Sequence, residues 1–185
     1  MRVVSGKARG ISLKTPDGLK TRPTADRVKE AIFSILQFDL PGKRVLDLFG
    51  GTGQLGIEAL SRGSSHCTFV DDSAVACKLI RENLNRTKLS AQASVVQSDY
   101  LNYLKNCNQK FDIIILDPPY AEKFLENSLN LITEIDILQY GGIIVTERPL
   151  EKDLSFEFEG FSRSKEYKYG KTVITLFRRN SEEIA

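Results

Sequence analysis

Val45-Leu46-Asp47-Leu48-Phe49-Gly50-Gly51-Thr52-Gly53-Gln54-Leu55-Gly56 decides how this 185-residue chain is read. Val45 to Phe49 is an apolar strand carrying one carboxylate, and the Gly-x-Gly-x-x-Gly beyond it opens a helix predicted over Gly53 to Ser61 and closed by Gly63. Glycines at such a corner permit a tight turn and let a ligand approach the backbone. Strand, glycine turn and helix form one unit of an alternation that the chain then repeats. Cys67 to Asp71 is a second strand, Ser73 to Thr87 a helix, Ala93 to Gln97 a strand, and Tyr100 to Lys105 a short helix. Phe111 to Leu116 is the fourth strand, Ala121 to Thr133 a helix, and Gly142 to Glu147 the fifth strand. Apolar strands separated by helices imply a doubly wound α/β domain with a mostly parallel sheet covered on both faces. The tail departs from the rhythm. Phe161 to Tyr169 and Thr172 to Arg178 are strand-like about Gly170-Lys171, so an antiparallel hairpin is expected to finish the sheet.

Upstream of the decisive stretch, Arg2 to Ser5 and Gly10 to Leu13 read as short strands joined by Gly6-Lys7-Ala8-Arg9. Residues 1–22 are thus expected to form a small basic β-hairpin arm, more an arm than a core, on a single domain spanning 1–185. After Arg22-Pro23-Thr24, the residues Val28, Ala31, Ile32, Ile35 and Leu36 recur at helical spacing, with Thr24 as N-cap and Pro41-Gly42 as terminator.

The net charge of +2 hides a strong segregation. Residues 1–44 carry ten Lys/Arg against four Asp/Glu, residues 45–160 ten against seventeen, and residues 161–179 six against one. Both basic ends suit a polyanion. Cys67, Cys77 and Cys107 are odd in number and form no Cys-x-x-Cys pair, and His66 is the only histidine. A disulfide framework, a metal site and a histidine-based triad are therefore not expected. The amino terminus lacks the apolar stretch of a signal peptide, which implies a cytoplasmic protein.

Candidate ligand groups cluster where each strand meets its loop. Asp47, Asp71 and Asp99 follow successive strands, at the edge where sheets of this kind bind ligands. A nicotinamide dinucleotide competes for the glycine motif. Against it, Asp47 would repel a pyrophosphate, and the remaining length offers no second substrate domain. S-adenosylmethionine, with its ammonium and sulfonium, fits the acids better: Asp47 near the amino acid moiety, Asp71 on the ribose, Asp99 accepting from the adenine amino group.

Asp117-Pro118-Pro119-Tyr120 stands at the end of the fourth strand. Consecutive prolines delete two backbone donors and stiffen the loop, leaving a carboxylate, carbonyl oxygens and an aromatic ring on display. That set suits a planar base with an exocyclic amine: the oxygens accept the amino hydrogens while the ring stacks on the base. By itself it does not separate adenine from guanine, or DNA from RNA.

With these blocks in view, the chain resembles the bacterial 16S rRNA (guanine(966)-N2)-methyltransferases. The resemblance rests on Arg2-Val3-Val4-Ser5-Gly6-Lys7-Ala8-Arg9-Gly10, on Arg22-Pro23-Thr24 with Asp26 to Phe33, on Asp47 to Gly56, on Gly56-Ile57-Glu58-Ala59-Leu60-Ser61-Arg62-Gly63 and on Asp117 to Tyr120. Asp71 stands where that family usually has glutamate, and Gly51, Thr52 and Gln54 depart slightly from its glycine loop. The resemblance implies a Rossmann-like class I methyltransferase fold, seven-stranded with its last strand antiparallel. It implies S-adenosylmethionine as cofactor, held by Asp47, Phe49, Gly50, Gly51, Thr52, Gly53, Asp71, Asp72, Asp99 and Tyr100. Asp117, Pro118 and Tyr120 become the catalytic group. Arg2, Lys7, Arg9, Arg22, Thr24 and Arg27 become candidate RNA contacts, although Arg22-Pro23-Thr24 could instead close over the cofactor. The expected partner is 16S rRNA or the small ribosomal subunit, met by a monomer without membrane or metal. An adenine-N6 methyltransferase and a non-catalytic RNA-binding module are the competing readings.

Overall fold

Runs such as Val45-Leu46 and Ile113-Ile114-Ile115-Leu116 at the centre of the sheet are apolar on both sides of the backbone, so each needs cover above and below. The computed structural model, which describes residues 1–16, 23–119, 123–154 and 156–181, supplies it. Its strands are β1 (Arg44–Asp47), β2 (His66–Asp71), β3 (Ala93–Gln97), β4 (Phe111–Leu116), β5 (Leu138–Pro149), β6 (Phe161–Tyr169) and β7 (Thr172–Arg179). Its helices are α1 (Pro23–Ile35), α2 (Gln54–Ser61), α3 (Ala74–Thr87), α4 (Tyr100–Lys105) and α5 (Phe124–Glu134). The seven strands form one sheet in the order β3-β2-β1-β4-β5-β7-β6, parallel except where β7 runs antiparallel between β5 and β6. The doubly wound fold and the antiparallel tail are those expected.

Alternation along the strands sorts the core. Val45, Ile113 and Ile115 face α1, α2 and α3, while Leu46, Ile114 and Leu116 face α4 and α5. Between β1 and β4 the chain changes direction across the sheet, which opens a crevice at their carboxyl ends.

Two expectations need correction. Helix α1 begins at Pro23, so Thr24 lies inside the first turn and is not its N-cap. Proline is favoured there because its missing N–H has no intrahelical partner to lose. The amino-terminal segment, in turn, is packed into the core: Val3, Ala8 and Leu13 are buried with α1, α2 and α3. It forms a single antiparallel bridge, Arg2 with Ser12, where two short strands were expected.

Polar groups of α2 and α3 hold this segment by its main chain. The buried Glu58 carboxylate accepts from Val4 N (2.8 Å) and Ser5 N (3.0 Å) and pairs with Arg62 Nε (2.8 Å). Ser61 Oγ accepts from Ala8 N (2.9 Å), and its carbonyl accepts from Lys7 N (2.8 Å). Asn83 on α3 accepts from Lys14 N (2.7 Å) and donates to the carbonyls of Lys14 (3.0 Å) and Thr52 (2.9 Å). Glu58→Ala would strand two backbone donors and the Nε of Arg62 together, and is expected to cost about 3–5 kcal/mol in urea unfolding. A loss below about 1 kcal/mol would show that the segment docks without this carboxylate.

Candidate active site at the carboxyl edge of the sheet

The crevice between β1 and β4 is a cavity of about 660 Å3. The glycine loop, the ends of β2 and β4, the start of α4 and Phe124 of α5 line it. Asp47 lies at its base, buried. Its Oδ2 accepts from Gly56 N (3.0 Å), whereas Oδ1 is buried with no hydrogen-bond partner among the described residues. Burial pushes its carboxyl up to about 7, partly offset by the Gly56 bond and reinforced by the charge of Asp71. Such a group calls for a cation or donor. Gly53, with φ +79°, caps the start of α2 and turns the loop so that its backbone faces the cavity.

Asp71 staples two loops: Oδ2 accepts from Gly51 N (2.8 Å) and Oδ1 from Ser73 N (2.9 Å). Its remaining lone pairs are what a ribose would meet. Asp72 is exposed and also lines the cavity. Asp99 caps α4, its Oδ1 accepting from Leu101 N (3.0 Å) and Asn102 N (3.1 Å), so the cap does not use Oδ2. Gly50, Gly51, Thr52 and Tyr100 of the expected cofactor group line the same wall, whereas Gly53 packs against Ile57 and Ile80 and does not line the cavity.

Phe49, Tyr100 and Phe124 form an aromatic cluster, with centroids 5.4 Å apart for Phe49 and Tyr100, 6.1 Å for Phe49 and Phe124, and 5.4 Å for the edge-on Tyr100 and Phe124. Phe124 was missed in the sequence, where an aromatic residue beside a helix start reads as core. Acids, aromatic rings and open backbone around an unsatisfied buried carboxylate fit a zwitterionic adenosyl ligand.

Asp117 is half-buried just beyond β4, with Pro118 buried and Pro119 exposed. Burial, then Glu147, then Asp47 drive its carboxyl well above the usual range. Tyr120 and Arg22 lie outside the described residues, as does the side chain of Thr24. A second cavity, of about 380 Å3, lies against the same two prolines and is bounded by Glu147, Arg148 and Pro149 of β5. Arg2, Lys7, Arg9 and Arg27 are all exposed. Met1 Sδ lies 3.5 Å from Thr52 Oγ1, so the amino-terminal segment reaches the glycine loop. No cluster of metal-ligating side chains occurs among the described residues, and no helix among them is long and apolar enough to cross a membrane.

Comparison with known proteins places this geometry in a lineage. YlbH of Bacillus subtilis (strain 168) is 40% identical over 182 residues, covering 97% of this chain and 99% of that protein. Ribosomal RNA small subunit methyltransferase D of Escherichia coli (strain K12) is 33% identical over 183 residues, covering 98% and 91%. The solved structure of Escherichia coli yhhF superposes with a TM-score of 0.89 at 31% identity, covering 98% of this chain and 99% of that one. The model of the family described as Conserved hypothetical protein 95 matches residues 1–178, and the chain belongs to that family.

Proposed function

We propose that this protein transfers a methyl group from S-adenosylmethionine to the exocyclic N2 amino group of a guanine in 16S rRNA of the small ribosomal subunit. The observation that carries the reading is the pairing of two carboxyl groups at one crevice: Asp47, with an unsatisfied buried oxygen, and Asp117, at the start of a donor-free prolyl loop. A 33% identical relative named ribosomal RNA small subunit methyltransferase D supports ribosomal RNA as the substrate.

Bound in the larger cavity, the cofactor supplies an electrophilic methyl on a sulfonium. Asp47 meets its positive charge, and Asp71 and Asp99 take the ribose and adenine edges. The aromatic cluster of Phe49, Tyr100 and Phe124 excludes water from the adenine face. Guanine N2 is a poor nucleophile because its lone pair is delocalised into the ring. Asp117 and the carbonyl of Pro118 accept hydrogen bonds from its two N–H groups, which favours a pyramidal nitrogen with a localised lone pair, and the Asp117 carboxylate takes the proton that the methylated amine sheds. Tyr120 stacks on the base, worth about 1–3 kcal/mol against unstacking. Positioning and electrostatics carry the acceleration, and no covalent enzyme intermediate is needed.

Arg2, Lys7, Arg9 and Arg27, with Arg22 and Thr24, contact the phosphates as part of the one catalytic domain, whose core-packed amino-terminal segment presents its charges to the RNA. The enzyme works as a cytoplasmic monomer without a metal ion. To test the reading, the protein is incubated with methyl-labelled cofactor and either unmodified small subunits, naked ribosomal RNA or duplex DNA. N2-methylguanosine in ribosomal RNA is the expected labelled nucleoside. N6-methyladenine, or RNA binding without label, would overturn it.

A further inference from the structure

Pro118 and Pro119 line both cavities, so the prolyl loop is a wall shared by two chambers. Asp47 and the glycine loop belong to one chamber and the end of β5 to the other. On the footing of the guanine reading above, we propose that the second chamber receives the target base and that Glu147 accepts its N1–H, selecting guanine over adenine.

Strand register puts Glu147 in place. Ile115 pairs with Val145 and Leu116 with Thr146 in the parallel β4–β5 ladder. Asp117 and Glu147 each follow one step later at the carboxyl ends of these neighbouring strands, Asp117 lining the first chamber and Glu147 the second across the shared prolyl wall. Two adjacent carboxyl groups match an edge with two adjacent donors. Guanine has that edge, N1–H beside the N2 amino group. Adenine offers one amino group beside a bare N1, whose lone pair would oppose that of Glu147.

Arg148, the next residue along β5, also lines the chamber. Arg148 is 6% exposed, its guanidinium is held by Glu166 (2.7 Å), and its Nε is buried without a partner among the described residues. Guanine O6 is an acceptor that adenine lacks. Lys123 and Lys152 also line the chamber, together with Glu126 and Asp153. Asp117 is raised by burial first and by the Glu147 charge second, and a ligand donating to both acids offsets that repulsion.

The test compares small subunits reconstituted with 16S rRNA ligated to carry guanine or 2-aminopurine at the position that the wild-type protein labels. 2-Aminopurine keeps the amino group but has a bare N1 and no O6. Wild type is expected to prefer guanine by about 100-fold or more in kcat/KM. In Glu147→Gln the side-chain amide can donate to a bare N1. This variant should lose about 10- to 100-fold on guanine and shift its preference at least about tenfold towards 2-aminopurine. Equal use of both bases by wild type, or an equal loss on both in Glu147→Gln, would overturn the role of Glu147 while leaving guanine methylation intact. Labelling of adenine would overturn both readings.

Discussion

Asp117→Ala is expected to lower kcat by about 10³-fold or more while changing cofactor affinity less than about threefold. The asymmetry follows from position: Asp117 sits at the start of the prolyl loop, whereas the buried Asp47 carboxylate and the glycine loop form the other side of the cavity. Its carboxyl is raised by burial and by Glu147, so ionising it costs the folded state free energy. Removing it should leave the protein at least as stable as wild type at pH values above the usual carboxylate range, measured by urea unfolding. Methyl transfer by rapid-quench turnover and cofactor affinity by calorimetry would be read on the same sample. Turnover and cofactor binding lost in parallel would make Asp117 a cofactor ligand.

Asp47→Asn is expected to weaken cofactor binding by at least about 100-fold, because the buried carboxylate is the charge that answers the ligand's ammonium. It should also change how stability depends on pH. The carboxyl moves from 3.8 to about 7 in the fold, so its contribution is fully present below pH 3.8 and is lost as pH rises through about 7. At 1.36 kcal/mol per pH unit that amounts to about 4 kcal/mol. Unliganded wild type should therefore be less stable at pH 8 than at pH 5, and Asp47→Asn should remove Asp47's share of the slope while Asp117 keeps its own. Saturating cofactor should flatten the wild-type profile, since a bound cation stabilises the ionised form. An unchanged slope in Asp47→Asn would show that Asp47 is already ionised in the free protein.

Much of the fold was legible because the strands follow a simple rule. A run such as Ile113-Ile114-Ile115-Leu116 is apolar at every position when both faces are covered, and the glycine loop and the Gly170-Lys171 turn punctuate the pattern. Strand β5 runs longer than expected, from Leu138, because its edges pair with β4 and β7 and register carries it past its apolar centre. That Asp47 and Asp117 meet at one crevice was legible from their places at the ends of neighbouring strands. Glu58, Ser61 and Asn83 were not legible as clamps, since they act on backbone N–H and C=O groups that every sequence has. The one trace was an acid within the apolar helix α2. Glu147 was passed over for the same reason: its position is set by a neighbouring strand's register, which no local pattern records.

That the amino-terminal segment is gripped through its main chain separates where it sits from what its side chains say. Arg2, Lys7 and Arg9 project from a backbone whose anchorage does not depend on them. Mutation can therefore rewrite the charge of this surface, residue by residue, without moving it. In evolutionary terms the segment is a fixed socket with interchangeable fittings, and descendants meeting a differently folded RNA could be retuned there while the crevice stays as it is.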